Sequence, residues 1–321
     1  MTVSRVLSGG KNVRPQVREL VERVIAEVGY HRNENARRLR QGQRSGLIGV
    51  LITNIGNPYY ARMLQGVEQV VAAAGHRVMV GVTNEDADLE EQLLLDFLGR
   101  QVEGLIVVPV GQDTYRFAPD RLGGVPLVLA SRTFDGSQAD AVLLDDVRGA
   151  FEATHRMLQE GHRRIAFLGN RVSVATGLRR FEGFESAHRE FGLEPLSDLV
   201  RLGQQDAESA EQAMDDLLEL ADPPTAVFAA NNRNSVGVIR SMNRRRAEAR
   251  KKGEELPSLR LFGFDSFEFA DMSPIPLSIV DHDPAELGRI AARLLFDRLE
   301  GPSQGAAPRL VELPVRLVDF S

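Results

Sequence analysis

The feature that most constrains the fold is a repeated alternation of short apolar runs with longer amphipathic segments, which begins at Leu47. Such runs are typical of buried strands, and the segments between them have helical spacing. In chain order the runs are LIGVLIT, RVMVGVT, GLIVVP, PLVLA, IAFLG, LVRL and TAVFAA. Strands that alternate with helices form parallel sheets covered on both faces. Because two rounds of similar length follow each other, the pattern predicts an α/β fold with two doubly wound parallel-sheet lobes.

Residues 1–45 differ from the rest of the chain in charge. They hold ten Arg and Lys against four Glu, a net charge of +6, whereas the whole chain has 39 basic and 45 acidic residues and a net charge of −6. Residues 46–321 therefore carry a net charge of −12. A basic end on an acidic body is typical of binding to nucleic-acid phosphate. A solvated charged helix followed by a disordered linker fits the charge alone equally well.

Two helices are predicted in this basic segment. A short one covers Thr2–Leu7, and a second begins at Pro15 and ends at Gly29, with apolar residues at three- and four-residue spacing. One amphipathic helix cannot bury its apolar stripe alone, so we expect the second helix to pack on neighbours or on another subunit. The segment predicts a small, partial all-α headpiece in front of the two lobes.

Composition excludes several classes of protein and site. The chain has no cysteine, which excludes disulfides and thiolate metal sites. It has neither an apolar signal-peptide core nor an apolar run of transmembrane length, so we expect a cytoplasmic protein with no membrane partner. No nucleotide-binding, hydrolase or metalloprotease motif occurs, and the histidines do not have metal-ligand spacing. We therefore expect no enzyme, no cofactor and no metal.

Polar residues follow the predicted strands at the edge where parallel sheets bind ligands. They are Thr53-Asn54, Asn57 to Tyr60, Ser131-Arg132, Asp145-Asp146, Asn170, Asn231-Asn232 and Asp265. Carboxylates, amides and guanidinium groups bind adjacent hydroxyls well, and an aromatic ring can cover the C–H face of a sugar. Each residue alone could equally be a helix cap or a loop hydrogen bond. Convergence on one cleft would indicate a ligand site.

Several stretches along the chain match motifs of one known family in the right order. The first two stretches are TVSRVLSGGKNVRPQVRELVERVIAEVGY and RNENARRLRQGQRSGLIGVLITNIGNPYYARMLQGVE. The later ones are EGHRRIAFLGN, R-x-x-G-F at 180–184, GFDS at 263–266 and DPAELGRIAARLLFDRLEG at 283–301. These motifs resemble the LacI/GalR family of lactose- and galactose-repressor-type transcription factors. The resemblance implies a homodimeric or tetrameric repressor of a palindromic operator, with a periplasmic-binding-protein-like sensor for a small molecule, most simply a sugar.

The resemblance also implies a division into domains. Residues 1–45 would form a partial helix-turn-helix headpiece and hinge helix. Residues 46–161 with 277–305 would form the first lobe, and residues 162–276 with 306–321 the second lobe. The chain would pass between the lobes three times.

The resemblance assigns roles to individual residues. Leu39 matches the hinge leucine that wedges into the minor groove, with Asn33, Ala36 and Arg37 as its neighbours, and Thr2, Ser4 and Arg5 match part of the recognition helix. Arg180 and Asp265 match the pair that holds effector hydroxyls. The remaining expected effector contacts are Tyr59, Tyr60, Arg132, Asn231 and His282, together with the strand-end residue Asp145.

The sequence departs from the family pattern at its start and in one later segment. The chain begins inside the segment that matches the recognition helix, so we expect either that a helix and turn precede Met1 or that this chain binds DNA weakly or not at all. In the second case it would be a sugar sensor without operator binding. The basic stretch Arg244–Lys252 could contact a partner or form a solvated helix extension.

Two rival classes fit less well. A transport binding protein would share the two lobes but would need a secretion signal and no basic headpiece. An enzyme would need an acid–base pair or a phosphate loop in the cleft. The sequence leaves open whether the effector is a sugar, a nucleoside or a phosphorylated metabolite.

Overall fold

The computed structural model describes residue 6 and residues 13–28, 45–111, 115–255, 258–301 and 307–320. It divides the chain into two compact units, residues 1–45 and residues 46–321. All the residues predicted to contact DNA lie outside the described residues; they are Thr2, Ser4, Arg5, Asn33, Ala36, Arg37 and Leu39.

The first unit contains helix α1 (Pro15–Glu27), which confirms the second predicted helix. Proline at its first position suits a helix start, but the preceding Arg14 gives no side-chain cap. None of the residues of α1 is buried, and Leu20 and Val24 are 55% and 45% exposed. Val17, Val21 and Ile25 on the same stripe are half-buried.

The second unit consists of seven helices and twelve strands within the described residues. The helices are α2 (Pro58–Ala73), α3 (Ala87–Gly99), α4 (Asp146–Gln159), α5 (Ala175–Glu190), α6 (Ala207–Leu218), α7 (Asn232–Lys252) and α8 (Pro284–Glu300). The strands are β1 (Leu47–Ile52), β2 (Arg77–Val82), β3 (Gly104–Val107), β4 (Leu127–Ala130), β5 (Asp140–Leu144), β6 (Ile165–Gly169), β7 (Val200–Leu202), β8 (Ala226–Ala229), β9 (Arg260–Phe264), β10 (Leu277–Asp281), β11 (Leu310–Leu313) and β12 (Arg316–Phe320).

The strands form two six-stranded sheets, one in each lobe. The first has the order β11-β5-β4-β3-β1-β2 and is parallel throughout. The second has the order β12-β10-β9-β8-β6-β7 and is parallel except for β12, which runs antiparallel to β10. In both sheets the strand order reverses next to the first strand of the lobe, which is the arrangement of a doubly wound fold. The predicted fold class is confirmed.

The chain passes between the lobes after β5, after β10 and after β11. Helix α4 packs on α5 and on strands of the second sheet, whereas α8 packs on α2 and on strands of the first. The segment that follows each of these three strands therefore belongs to the other lobe.

These crossings correct the predicted domain boundaries. Residues 146–159 and 277–281 belong to the second lobe rather than the first, and residues 310–313 belong to the first rather than the second. The physical reason is strand pairing: Ile279 is opposite Gly263 in the second sheet, and Val311 is opposite Val142 in the first. The prediction kept β5 and β10 with the helices that follow them and kept β11 with β12, whereas in each case the crossing lies between the two elements.

Close backbone contact joins the two helices that cover one face of the first sheet. A Cβ atom on Gly66 of α2 would overlap the carbonyl oxygen of Ala285, and one on Gly288 of α8 would overlap the carbonyl oxygen of Met63. Only glycine permits this approach. Helices α2 and α8 therefore lock together although about two hundred residues separate them in sequence.

The basic stretch Arg244–Lys252 forms the last turns of α7. Arg244 and Arg245 both form ion pairs with Asp215 of α6, and Gly253 ends the helix with a φ of 71°. This arrangement favours the helix-extension interpretation. Within the described ranges no helix is long and apolar enough to cross a membrane.

Candidate functional site

A cavity of about 260 Å³ lies where the carboxyl ends of the two sheets face each other. The first-lobe wall consists of Thr53, Asn54, Asn57, Tyr59, Tyr60, Asn84, Glu85, Ser131, Arg132 and Leu144. The second-lobe wall consists of Asn170, Thr176, Gly177, Arg180, Gln205, Asp206, Ala230, Asn231, Arg233 and Asp265. Most of these side chains are polar, and six of them carry a formal charge.

Arg180 is the centre of the second-lobe wall. It projects from α5, and its Nη1 donates to the carbonyl oxygen of Ala230 at 2.6 Å and to Asp265 Oδ2 at 3.1 Å. Its Nε donates to Asp146 Oδ1 at 2.8 Å, and the guanidinium lies 3.7 Å from the centre of the Phe264 ring. Bonds to two carboxylates and a carbonyl, with a ring beneath, hold the guanidinium plane in one orientation.

The two carboxylates that contact Arg180 differ in their electrostatics. Burial raises the pKa of Asp146, although Arg180 works in the opposite direction. Burial also opposes the charged form of Asp265, but Arg180 and His282 outweigh it and the pKa of Asp265 is lowered. His282 Nε2 lies 2.9 Å from Asp265 Oδ1. Asp265 is therefore an ionised acceptor at neutral pH.

Arg132 is the main charged group of the first-lobe wall. Its two terminal nitrogens donate to the two carboxylate oxygens of Glu85 at 2.7 and 2.8 Å, a bidentate pair. Burial opposes the charge of Arg132, but Tyr60 and Glu85 outweigh it and raise its pKa. Sequence reasoning missed Glu85. A signal was available, because Asn84 and Glu85 lie two and three residues after the end of β2, at the same edge as the other strand-end residues.

Two buried tyrosines complete the first-lobe wall. The hydroxyl of Tyr59 lies 2.5 Å from Ser131 Oγ, and the hydroxyl of Tyr60 accepts a hydrogen bond from Thr53 Oγ1 at 2.8 Å. The rings meet edge to face, with centroids 5.1 Å apart. Burial is the main cause of the raised pKa of Tyr59, so this residue keeps its proton at neutral pH. The two rings provide apolar surface with neutral hydroxyl groups at the cavity.

Direct contacts join the two lobes beside the cavity. Asn232 Nδ2, on α7 of the second lobe, donates to Asn57 Oδ1 of the first lobe at 2.9 Å. Arg179 of α5 forms an ion pair with Glu312 of β11. The neighbouring Asn231 lines the cavity and also caps α7, because its Oδ1 accepts from the Asn234 N–H at 2.8 Å.

Of the residues expected to contact the effector, the structure brings together Tyr59, Tyr60, Arg132, Arg180, Asn231 and Asp265 in the cavity wall. Asp145 is a correction: it caps α4, accepting from the Arg148 N–H at 3.3 Å, and Asp146 is the residue that contacts Arg180. His282 is also corrected, because it lies behind Asp265 rather than in the wall. In the part of the chain that the structure describes, no cluster of three or more histidines and acids could hold a metal ion.

Comparisons with known proteins agree with this architecture. Residues 45–320 match the family described as periplasmic binding proteins and sugar binding domain of the LacI family, and residues 1–33 match the bacterial regulatory proteins of the lacI family. Catabolite control protein A of Priestia megaterium is 29% identical over 98% of this chain and 93% of its own length. The transcriptional regulator CelR of Thermobifida fusca is 30% identical over 99% of this chain and 91% of its own length.

A solved structure of similar organisation is the complex of the transcriptional regulator CelR with cellobiose. It has a TM-score of 0.74 and 27% identity, and the match covers 99% of this chain and 94% of that one. The matched segments include both the headpiece region and the two lobes. This chain therefore belongs to the LacI family of bacterial regulatory proteins.

Proposed function

We propose that this protein is a transcriptional regulator, most simply a repressor, whose binding to operator DNA is controlled by a sugar in the cavity between its lobes. The observation that carries the proposal is the Arg180–Asp265 pair, fixed on the second-lobe wall and facing the Arg132–Glu85 pair of the first. Family membership supports the DNA-binding part, and the cellobiose complex of a relative supports the sugar.

The chemistry of the cavity suits a polyhydroxylated ligand. Asp265 offers ionised acceptor oxygens, and Arg132 and Arg180 offer planar donors that can contact adjacent hydroxyl groups. Tyr59 and Tyr60 offer apolar surface for the C–H side of a sugar ring. A ligand in this position would contact both lobes, so its affinity depends on how the lobes are arranged.

Because the affinity for the ligand depends on how the lobes are arranged, the ligand can control DNA binding. A ligand shifts an equilibrium between two lobe arrangements by as much as its affinities for them differ. We propose that the change reaches the hinge residues 33–40, where a short helix with Leu39 folds on the minor groove of a palindromic operator bound by a homodimer. Such a helix is unstable alone, so its folding is readily coupled to DNA binding.

The proposal includes a cytoplasmic location and no catalytic role. The relatives are regulators rather than enzymes by name, and the cavity side chains are explained by ligand binding. A sugar sensor that does not bind DNA is the alternative. A mobility-shift assay on fragments selected from a random-sequence library separates the two, because the sensor would select no palindromic site.

The test of the sugar site is a thermal-shift and calorimetric screen of neutral mono- and disaccharides, repeated with Asp265→Asn. Asp265 has a φ of 67°, which asparagine tolerates, so this variant removes the charge without straining the backbone. Loss of a hydrogen bond to a charged group predicts an affinity about tenfold to a hundredfold weaker. Arg148→Ala, on the exposed side of α4, is the control and should bind like the parent. A sugar that binds Asp265→Asn as tightly as the parent would refute the proposed site.

A further inference from the structure

The second-lobe wall contains a third arginine that the sugar site above does not use. Arg233 is the second residue of α7 and lines the cavity. Its guanidinium makes no ion pair within 4.0 Å and no hydrogen bond to any part of the chain that the structure describes, and its Nε atom is buried without a partner. Arg132 and Arg180, the other cavity cations, are each paired with a carboxylate.

One acid of the same wall, Asp206, interacts electrostatically with Arg233. Asp206 also lines the cavity, but its carboxylate caps α6, accepting from the Ser209 N–H and from Ser209 Oγ, both at 2.8 Å. Arg233 helps to lower the pKa of Asp206 from a distance, without forming a salt bridge to it. Since no carboxylate of the described residues lies within ion-pair distance of Arg233, its guanidinium keeps donors that an anionic ligand can bind.

Other groups on the same wall favour an anion. With the Gln205 amide turned so that its oxygen faces Arg171, that oxygen accepts from Nε and Nη2 of Arg171 at 3.1 Å, so a second guanidinium near this wall has a neutral partner. Helix α5 begins beside it without a side-chain cap at Val174, and its early residues Thr176 and Gly177 line the cavity. Uncapped N–H groups at a helix start add a partial positive charge.

We infer that the effector is a sugar carrying an anionic group, a phosphate or a carboxylate, and that Arg233 is the specificity-determining residue that binds this group. The inference rests on the proposed sugar site and deepens it: Arg180 and Asp265 hold the hydroxyls, and Arg233 selects the charged form. Guanidinium groups bind both phosphate and carboxylate in a bidentate manner, so the two anions are distinguished by experiment.

The test is isothermal titration of the full chain with matched probes. Glucose, galactose, fructose and ribose are compared with their monophosphates, and glucose and galactose also with glucuronate and galacturonate. We expect at least one charged sugar to bind about tenfold to a hundredfold more tightly than its neutral parent. Arg233→Gln should remove that difference, so that the charged sugar and its neutral parent bind with similar affinity. If the sugar phosphates bind more tightly than the neutral sugars, the anion is a phosphate; if the uronates do, it is a carboxylate.

Two further variants make the test specific. Arg240→Gln changes an exposed arginine on the same helix, outside the cavity wall, and should keep the preference for the charged sugar. Asp206→Asn keeps a good helix cap but removes the nearby negative charge, so it should strengthen binding of the charged sugar severalfold. A thermal unfolding scan without ligand checks that each variant is folded.

The outcomes separate this inference from the proposed function. If neutral sugars bind and no charged form gains affinity, or if Arg233→Gln keeps the gain, the role of Arg233 is refuted while the sugar site stands. If no sugar of either kind binds, the sugar site and the inference both fail.

Discussion

The two walls of the cavity hold their arginines in different ways. Arg180 lies between two carboxylates, Asp146 and Asp265, whose side chains are only 1% and 9% exposed. Arg132 has one carboxylate partner, Glu85, which is 30% exposed and lies in a loop where the backbone has a φ of 60°. The second-lobe wall is therefore rigid and formed in advance, whereas the first-lobe wall can adjust. We expect a ligand to be recognised on the second lobe first.

The largest effect on stability is expected for Arg180→Met. Removing the guanidinium leaves two buried carboxylates without their cation, and breaking a buried ion pair in this way costs about 3–5 kcal/mol. Urea unfolding at pH 7 measures the change in the free energy of unfolding. Arg148→Met, whose side chain is largely exposed, should change it by less than about 0.5 kcal/mol. A loss below about 1 kcal/mol for Arg180→Met would mean that the second-lobe wall does not depend on this pairing.

The second largest effect is a dependence of the free energy of unfolding on pH, caused by the carboxyl group of Glu90 behind the first-lobe wall. Glu90 is fully buried, its Oε2 accepts from the Val110 N–H at 2.8 Å, and burial raises its pKa from 4.5 to about 7. The folded protein thus holds this proton more tightly than the unfolded chain. The stabilisation is fully present below about pH 4.5 and is lost as the pH rises through about 7, a change of about 3 kcal/mol.

Urea unfolding between pH 4.5 and 8 tests this contribution. In the parent, Glu90 makes the free energy of unfolding fall with rising pH in that window. Glu90→Gln cannot titrate, so its stability should change less with pH there, whatever its absolute value. Equal slopes for the parent and the variant would contradict the assignment.

The smallest effect is expected for Arg132→Met on the first-lobe wall. Glu85 is partly exposed and can be hydrated once its partner is gone, so the expected loss is about 1–2 kcal/mol, clearly below that of Arg180→Met. The same urea experiment measures it. Equal losses for the two variants would show that the walls are equally rigid and would remove the contrast between them.

Much of the fold was predictable because buried parallel strands appear as continuous apolar runs, and strand ends mark the ligand edge. That reasoning, with the family resemblance, brought Arg180 and Asp265 to the cavity. The same reasoning chose the wrong one of two adjacent aspartates. Asp146 is the first residue of a helix and Asp145 precedes it, so their side chains point in different directions. Arg233 was missed because it lies inside a helix rather than at the end of a strand.

The domain boundaries could not be predicted because hydrophobic pattern does not say which sheet a strand joins. Leu277–Asp281 and Leu310–Leu313 are both short runs that either lobe could bury, and pairing with β9 or β5 decides the outcome. Such pairing depends on contacts between residues far apart in sequence, which local spacing does not encode.

The glycine contact between α2 and α8 has a consequence for synthesis of the chain. Helix α8 covers the sheet that begins at Leu47, yet its residues 284–300 leave the ribosome only when nearly the whole polypeptide has been made. A nascent chain that stops before Pro284 would expose the apolar surface that α8 normally covers, including Val67 and Ile106. The first lobe to be translated is therefore completed only near the end of synthesis, and prematurely terminated chains should be captured by chaperones or degraded.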